Sequence, residues 1–232
     1  MAFDPVYFLF VLPGMLLAMW AQVKVSSAYA AGSRLAAASG LTGAEAAAEV
    51  LRAAGVFGVR IEPIAGQLTD HYDPRAKVLR LSEGVYGSRS LAALGIAAHE
   101  AGHAIQDASG DKALVVRNMI VPAANFGSSI FFVVILAGLL LHMMQLILLG
   151  IILFSLNVVF QLVNLPVEYD ASRRARQALL SAGLVSPAED ETVKRVLGAA
   201  AWTYVAATIT SILTLFYYLF RFGLLGGRGS RD

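Results

Sequence analysis

Residues 118–167 read NMIVPAANFGSSIFFVVILAGLLLHMMQLILLGIILFSLNVVFQLVNLPV, fifty residues without one Asp, Glu, Lys or Arg. A helix needs about 20 apolar residues to cross the hydrocarbon core of a bilayer. The stretch therefore holds two spans, broken at His142-Met143-Met144-Gln145. Outward from it, charge is also missing between Pro5 and Val23 and between Val196 and Phe220. Each of those windows holds one more span. Only 15% of the chain is charged, against about 25% for a soluble domain. The sequence thus predicts a mainly α membrane protein with about four transmembrane helices, roughly 4–22, 119–141, 146–165 and 202–221.

Ala28-Tyr29-Ala30 resembles a signal-peptide cleavage site, but Met1-Ala2-Phe3-Asp4-Pro5 carries no basic n-region. The first span is therefore read as a retained anchor. The chain has no cysteine, which excludes disulfides and thiolate metal sites. A net charge of +2 without a long basic run gives no reason to expect nucleic acid as a partner. Arg173, Arg174, Arg176, Lys194 and Arg195 lie between the third and fourth spans. Lys24, Lys112 and Arg117 border the polar segment after the first. The 141–146 hairpin has no Lys or Arg. The positive-inside rule places both polar segments in the cytoplasm, although Arg221, Arg228 and Arg231 argue the other way.

Between the first two spans, Thr42-Gly43-Ala44-Glu45 is a capping box ahead of an Ala-rich helix that Gly55 stops. Val59–Ile64 alternates apolar and polar residues like a half-buried strand, and Val78–Leu81 reads as a second strand. Gly66–Pro74 between them reads as a polar turn, so the expected sheet is small and antiparallel. A helix beginning at Ser88–Ser90 and running through Gln106 follows, with Leu91, Leu94, Ala98, Ala101 and Ile105 at helical spacing. A second capping box, Ser186-Pro187-Ala188-Glu189, opens a helix before the last span.

The Ser90–Gln106 helix carries His99-Glu100-Ala101-Gly102-His103, an H-E-x-x-H pentad. Residues four apart on a helix share a face, roughly 6 Å apart along the axis. Two imidazoles there can grip one Zn2+, with Glu100 placed to take a proton from water activated by the metal. A catalytic zinc wants three protein ligands and one open position. His142 sits at the hairpin tip and His71 on the polar turn. Glu168 is the better third ligand, because two spans between it and His103 return the chain to the same side. It also continues the helical face of Asn157, Gln161 and Asn164, residues that can equally serve helix–helix hydrogen bonding. The plain alternative for Glu168 is an interfacial carboxylate beside Arg173. Asp170, about 200° further round the helix, is not expected to share the ion.

His99–His103 together with Glu168-Tyr169-Asp170-Ala171-Ser172 resembles the gluzincin arrangement. The second segment is similar to the E-F-x-A-D stretch of HtpX-type and Ste24-type membrane peptidases. Ser172 stands where they have the Asp that supports a ligand His. A closer likeness is to the YugP-type neutral zinc metallopeptidases of bacteria. It covers Leu12-Pro13-Gly14-Met15, Ser39-Gly40-Leu41-Thr42-Gly43-Ala44-Glu45, Leu68-Thr69-Asp70-His71-Tyr72-Asp73-Pro74, Lys77-Val78-Leu79-Arg80-Leu81-Ser82 and Val167–Ser172. The resemblance implies a zinc peptidase of the bacterial inner membrane, acting on a protein or peptide substrate, with a zincin-like α+β catalytic domain.

The expected organisation is a membrane helix at 1–23, a zincin-like domain at 24–117, a membrane hairpin at 118–167, a segment with the third ligand at 168–198, a last membrane helix at 199–222 and a tail at 223–232. The metal ligands are His99, His103 and Glu168, and the catalytic base is Glu100. The Lys77–Ser82 strand is expected to pair with substrate as an edge strand. His71, Tyr72 and Tyr169 are candidate oxyanion donors. Two rivals are an intramembrane protease and a non-catalytic scaffold with a structural metal. The lipid bilayer is a partner in every reading, and a homo-oligomer or membrane partner protein is left open.

Overall fold

The structure is a computed structural model that describes residues 4–225. Arg228, Arg231 and most of the 223–232 tail lie outside them. Among the described residues, seven helices and three strands follow in order: α1 (Pro5–Ser33), α2 (Gly43–Ala53), β1 (Arg60–Ile64), β2 (His71–Asp73), β3 (Val78–Ser82), α3 (Glu83–Tyr86), α4 (Leu91–Ala108), α5 (Lys112–Leu140), α6 (Met144–Ser181) and α7 (Pro187–Arg221). Helices α1, α5, α6 and α7 are long and apolar enough to cross a membrane, one for each predicted span. Each extends past its charge-free window, because helix propensity does not stop where hydropathy does. α6 runs on through Pro166, so Glu168 lies on the same helix as Asn157, Gln161 and Asn164.

The chain divides into two compact units. One comprises the chain up to Trp20, Val116–Leu165 and the chain from Thr203; the other comprises Ala21–Val115 and Pro166–Trp202. In the first, Ile135, Ile147, Ile151, Phe154 and Tyr218 form a buried cluster. Large apolar side chains such as Leu9, Met119 and Phe126 point outward, which is favourable only where the surrounding medium is lipid. α5 and α6 approach closely at glycines. A Cβ on Gly127 would stand 2.5 Å from the Leu153 carbonyl oxygen, and one on Gly150 would stand 3.0 Å from that of Phe131. Small residues at such crossings let apolar helices gain dispersion contact in lipid.

The second unit holds the sheet and α4. Its strand order is β1-β3-β2, with β1 parallel and β2 antiparallel to β3. The expected antiparallel sheet is therefore mixed, and the Gly66–Pro74 turn conceals a third strand. This corrects the reading of Lys77–Ser82 as an edge: β3 is central and both its ladders are taken. Central placement buries Val78, Leu79 and Leu81 completely. The turn into β3 is built by Asp73, whose Oδ1 accepts from the Arg75 and Ala76 amides at 3.0 and 3.1 Å. Both capping boxes form. Glu189 of the second also accepts from the Ala38 amide at 2.7 Å, tying the start of α7 to the link before α2.

α4 starts where the Ser90 hydroxyl accepts from the Ala93 amide at 3.2 Å. Leu91, Ala93, Leu94, Ala97, Ala98, Ala101 and Ala104 face the core. α4 is not among the helices long and apolar enough to cross a membrane, which removes the basis for placing the pentad inside a span.

Candidate metal centre

The pentad occupies the third and fourth turns of α4, a helix fixed by its buried Ala/Leu face. Four-residue spacing brings the rings of His99 and His103 to 4.8 Å between centroids. Glu168 reaches them from α6. Gly102 permits this approach, since a Cβ there would stand 2.6 Å from the Ala171 carbonyl oxygen. Glu168 Oε2 lies 3.3 Å from His99 Nε2 and 3.5 Å from His103 Nε2. All three ligand atoms fall within 4.8 Å of one another. Among the described residues no fourth His, Cys, Asp or Glu joins this group.

The outer nitrogens are spoken for. His103 Nδ1 is 3.0 Å from Gln106 Oε1, and His99 Nδ1 is 3.1 Å from Ser172 Oγ. Gln106 is completely buried. Its amide donates to the Val167 carbonyl at 3.0 Å and to Asp170 Oδ2 at 2.9 Å, so the oxygen must face His103. An amide oxygen only accepts; His103 therefore carries a proton on Nδ1 and presents Nε2 toward Glu168. Asp170 is in turn held by Arg173 and by Arg174 Nε at 2.5 Å, and Arg174 reaches Asp111 at 3.0 Å. A chain of charge-assisted bonds thus backs the His103 side.

The electrostatics favour a cation. Burial works against an imidazolium at His103. The negative charge of Glu168, 3.5 Å away, then the charge of Glu100 and the Gln106 contact, outweigh it and raise the pKa of His103. Proton and metal compete for that same nitrogen. The fit to zinc rests on one atom above all: Glu168 Oε2 is buried without a hydrogen-bond donor and faces two imidazole nitrogens. A carboxylate oxygen is costly to bury unsatisfied. A divalent ion bridging it to two imidazoles would resolve that cost, and two nitrogens with one oxygen are a donor set suited to zinc.

Of the other expected residues, Glu100 is largely buried and is not one of the three clustered ligands. His71 lies on β2, with Nδ1 at 2.9 Å from the Thr69 carbonyl and Nε2 at 3.4 Å from Arg80. Tyr72 donates to Asp107 Oδ2 at 2.7 Å, and burial with that carboxylate pushes its pKa up. Tyr169 is half exposed. None of these three belongs to the cluster. Asn164, in the first unit, accepts from Arg117 Nε at 3.1 Å. Asp170 is not one of the three clustered groups. Sequence reasoning missed Gln106, for which the only signal is its position three residues after His103. Ser172, flagged as a departure, does meet His99.

The fold and the cluster together define a class: a chain with four helices long and apolar enough to cross a membrane, in which an H-E-x-x-H helix meets a carboxylate from another helix. Residues 7–223 match the family model described as "Putative neutral zinc metallopeptidase". The chain belongs to that family. It is 48% identical to the protein named "Putative membrane protease YugP" of Bacillus subtilis (strain 168) over 212 residues, which is 91% of this chain and 93% of that protein. No solved structure matches.

Proposed function

We propose that this protein is a membrane-bound zinc endopeptidase of gluzincin type, with His99, His103 and Glu168 holding the ion. The observation that carries the proposal is the buried Glu168 oxygen left without a donor between two imidazoles. Zinc bound there supplies Lewis acidity, which makes water more acidic and polarises a carbonyl. Three protein ligands without a fourth favour an open position over a closed structural site. Among the described residues the scaffold reading finds no fourth ligand to complete it.

Glu100 acts as the base. It stands next to His99 on α4, its carboxylate is largely buried, and it is free of ligand duty. It accepts a proton from the attacking water and returns it to the leaving amine. Gln106 keeps a proton on the outer nitrogen of His103, and Ser172 orients the His99 ring. β2 is a sheet edge fastened to α4 through Tyr72 and Asp107, so an extended peptide can add to the sheet there. We place the substrate among membrane or membrane-associated proteins and the site on the cytoplasmic face, where the Arg173–Arg176 cluster belongs.

The test is zinc content and casein cleavage of the purified protein beside Glu100→Gln. The variant is expected to keep the metal and lose turnover. Near wild-type turnover in it, with zinc retained, would refute the mechanism.

A further inference from the structure

A cavity of about 540 Å³ lies between α6 and α7 within the second unit. Pro166, Leu197 and Ala201 give it an apolar base, and Arg173, Arg176 and Lys194 give it a cationic rim. A second cavity of about 320 Å³ shares Lys194 and Gly198 and adds Lys24, Arg195 and Trp202. The Lys24 ammonium lies 5.5 Å from the centre of the Trp202 ring. None of His99, Glu100, His103 or Glu168 lines either cavity, although Asp170 and Ser172, which support the imidazoles, line the larger one.

Both helices enter the charge-free stretches at this level. Pro166 directly follows the predicted 146–165 span, and Ala201 directly precedes the 202–221 span. Arg173 and Lys194 each lie eight residues outside a span, roughly 12 Å along a helix. Long basic side chains reach back several ångströms from there, into a headgroup layer about 5–8 Å thick on each side. The cations are partly engaged. Arg176 forks onto Asp190 at 2.9 and 2.5 Å, Arg173 holds Asp170, and Lys194 lies 3.5 Å from exposed Glu191. Asp170 is the one carboxylate in the lining of the larger cavity, against three cations. The Lys194 pair is exposed on both sides, so it is weak and exchangeable.

We infer that this groove binds the headgroup of an anionic phospholipid, with the phosphate between Arg173 and Lys194 and the upper acyl chain on Pro166, Leu197 and Ala201. Arg and Lys suit phosphate oxygens, and basic pockets between membrane helices commonly hold such headgroups. The apolar base rules in favour of lipid over an acidic peptide, which would gain nothing from it. The groove uses none of the three metal ligands, so loss of lipid preference and loss of zinc are read separately.

The chain has two tryptophans, so Trp20→Phe leaves Trp202 as a reporter beside the groove. The full-length variant is reconstituted in phosphatidylcholine, and quenching of Trp202 by brominated phosphatidylglycerol is compared with quenching by brominated phosphatidylcholine. Phosphatidylglycerol is expected to be favoured about 25-fold, about fivefold for each of the two cations. Lys194→Gln should lower that preference about fivefold, the usual weight of one cation near an anionic surface. Adding Arg173→Gln should bring it near one, and Arg52→Gln on α2 should not change it. Equal quenching by the two lipids, or a preference that survives both substitutions, overturns the proposal. So does a lack of lipid preference together with a Trp202 emission change on adding a Glu-rich decapeptide, which would assign the groove to acidic peptides.

Discussion

α6 is packed twice by the same device with opposite results. In the first unit, Gly127 of α5 lets the Leu153 carbonyl of α6 come close, and the surroundings are Ile, Phe and Leu. In the second, Gly102 of α4 does the same for the Ala171 carbonyl of α6, and the surroundings are His, Glu, Gln, Ser and Asp. In lipid, close approach yields dispersion contact and nothing else is asked of it. Around α4, close approach brings polar atoms together where every one must find a partner. Among the buried side-chain atoms of the described residues all but one do, and that one is Glu168 Oε2. A packed helix pair becomes a candidate metal site through a single deliberate shortfall in hydrogen bonding.

The comparison breaks most completely at Glu168. Glu168→Ala should abolish stoichiometric zinc binding, whereas Asp170→Ala, which removes a support and no ligand, should weaken it by about 10- to 100-fold. Metal content after dialysis against a graded chelator separates the two. If Asp170→Ala loses the ion and Glu168→Ala keeps it, the ligand assignment fails.

The glycines come next. Gly102→Ala and Gly127→Ala both drive a methyl into a carbonyl, and each should cost about 1–3 kcal/mol as overpacking does. Thermal unfolding should fall for both, but only Gly102→Ala should also lower zinc per chain, because only there does helix spacing set the Glu168–imidazole distances. Equal zinc loss in the two would mean that the spacing near Gly102 does not control the site.

Inside the site, the His103 and His99 sides differ in how they are held. Gln106 is completely buried and tied to Val167, Asp170 and His103, while Ser172 offers one hydroxyl to His99. Gln106→Ala should therefore reduce zinc affinity toward the upper end of the tenfold to hundredfold range, and Ser172→Ala toward the lower. Competitive titration with a chromogenic chelator reads both. The opposite ranking would show that the buried network does not orient His103.

What the chain discloses about itself follows the same divide. The four spans were legible because the absence of charge is a property of residue type. The pentad was legible because its spacing is covalent and α4 is regular. The three-residue β2 was not, since His71-Tyr72-Asp73 has no alternation and forms only because β3 offers a ladder. Nor could β3 be seen as central, because which strand lies inside a sheet depends on pairing between distant segments. Gln106 reads as an ordinary helix residue until Val167 and Asp170 are brought to it. The glycine at position 102 is informative only once Ala171 is known to face it.

The smallest expected effect concerns Tyr72, a candidate oxyanion donor by sequence that the fold commits to α4. Its hydroxyl donates to Asp107 Oδ2 at 2.7 Å, and Lys77 Nζ reaches the same oxygen at 2.5 Å. If Tyr72 serves to fasten β2 to α4, Tyr72→Phe removes one hydrogen bond while Lys77 still satisfies the carboxylate. The loss should be about 1–2 kcal/mol of stability, in the range of a bond to a charged group, with kcat unchanged and KM for an extended peptide modestly raised as β2 loosens. An oxyanion donor would behave differently, because its loss falls on the transition state and costs about 10²- to 10³-fold in kcat. Steady-state kinetics of Tyr72→Phe on a peptide substrate, with an unfolding curve alongside, tells the two apart. A drop in kcat of that size would mean that Tyr72 leaves Asp107 during turnover, and the role of β2 as a fixed edge would have to be given up.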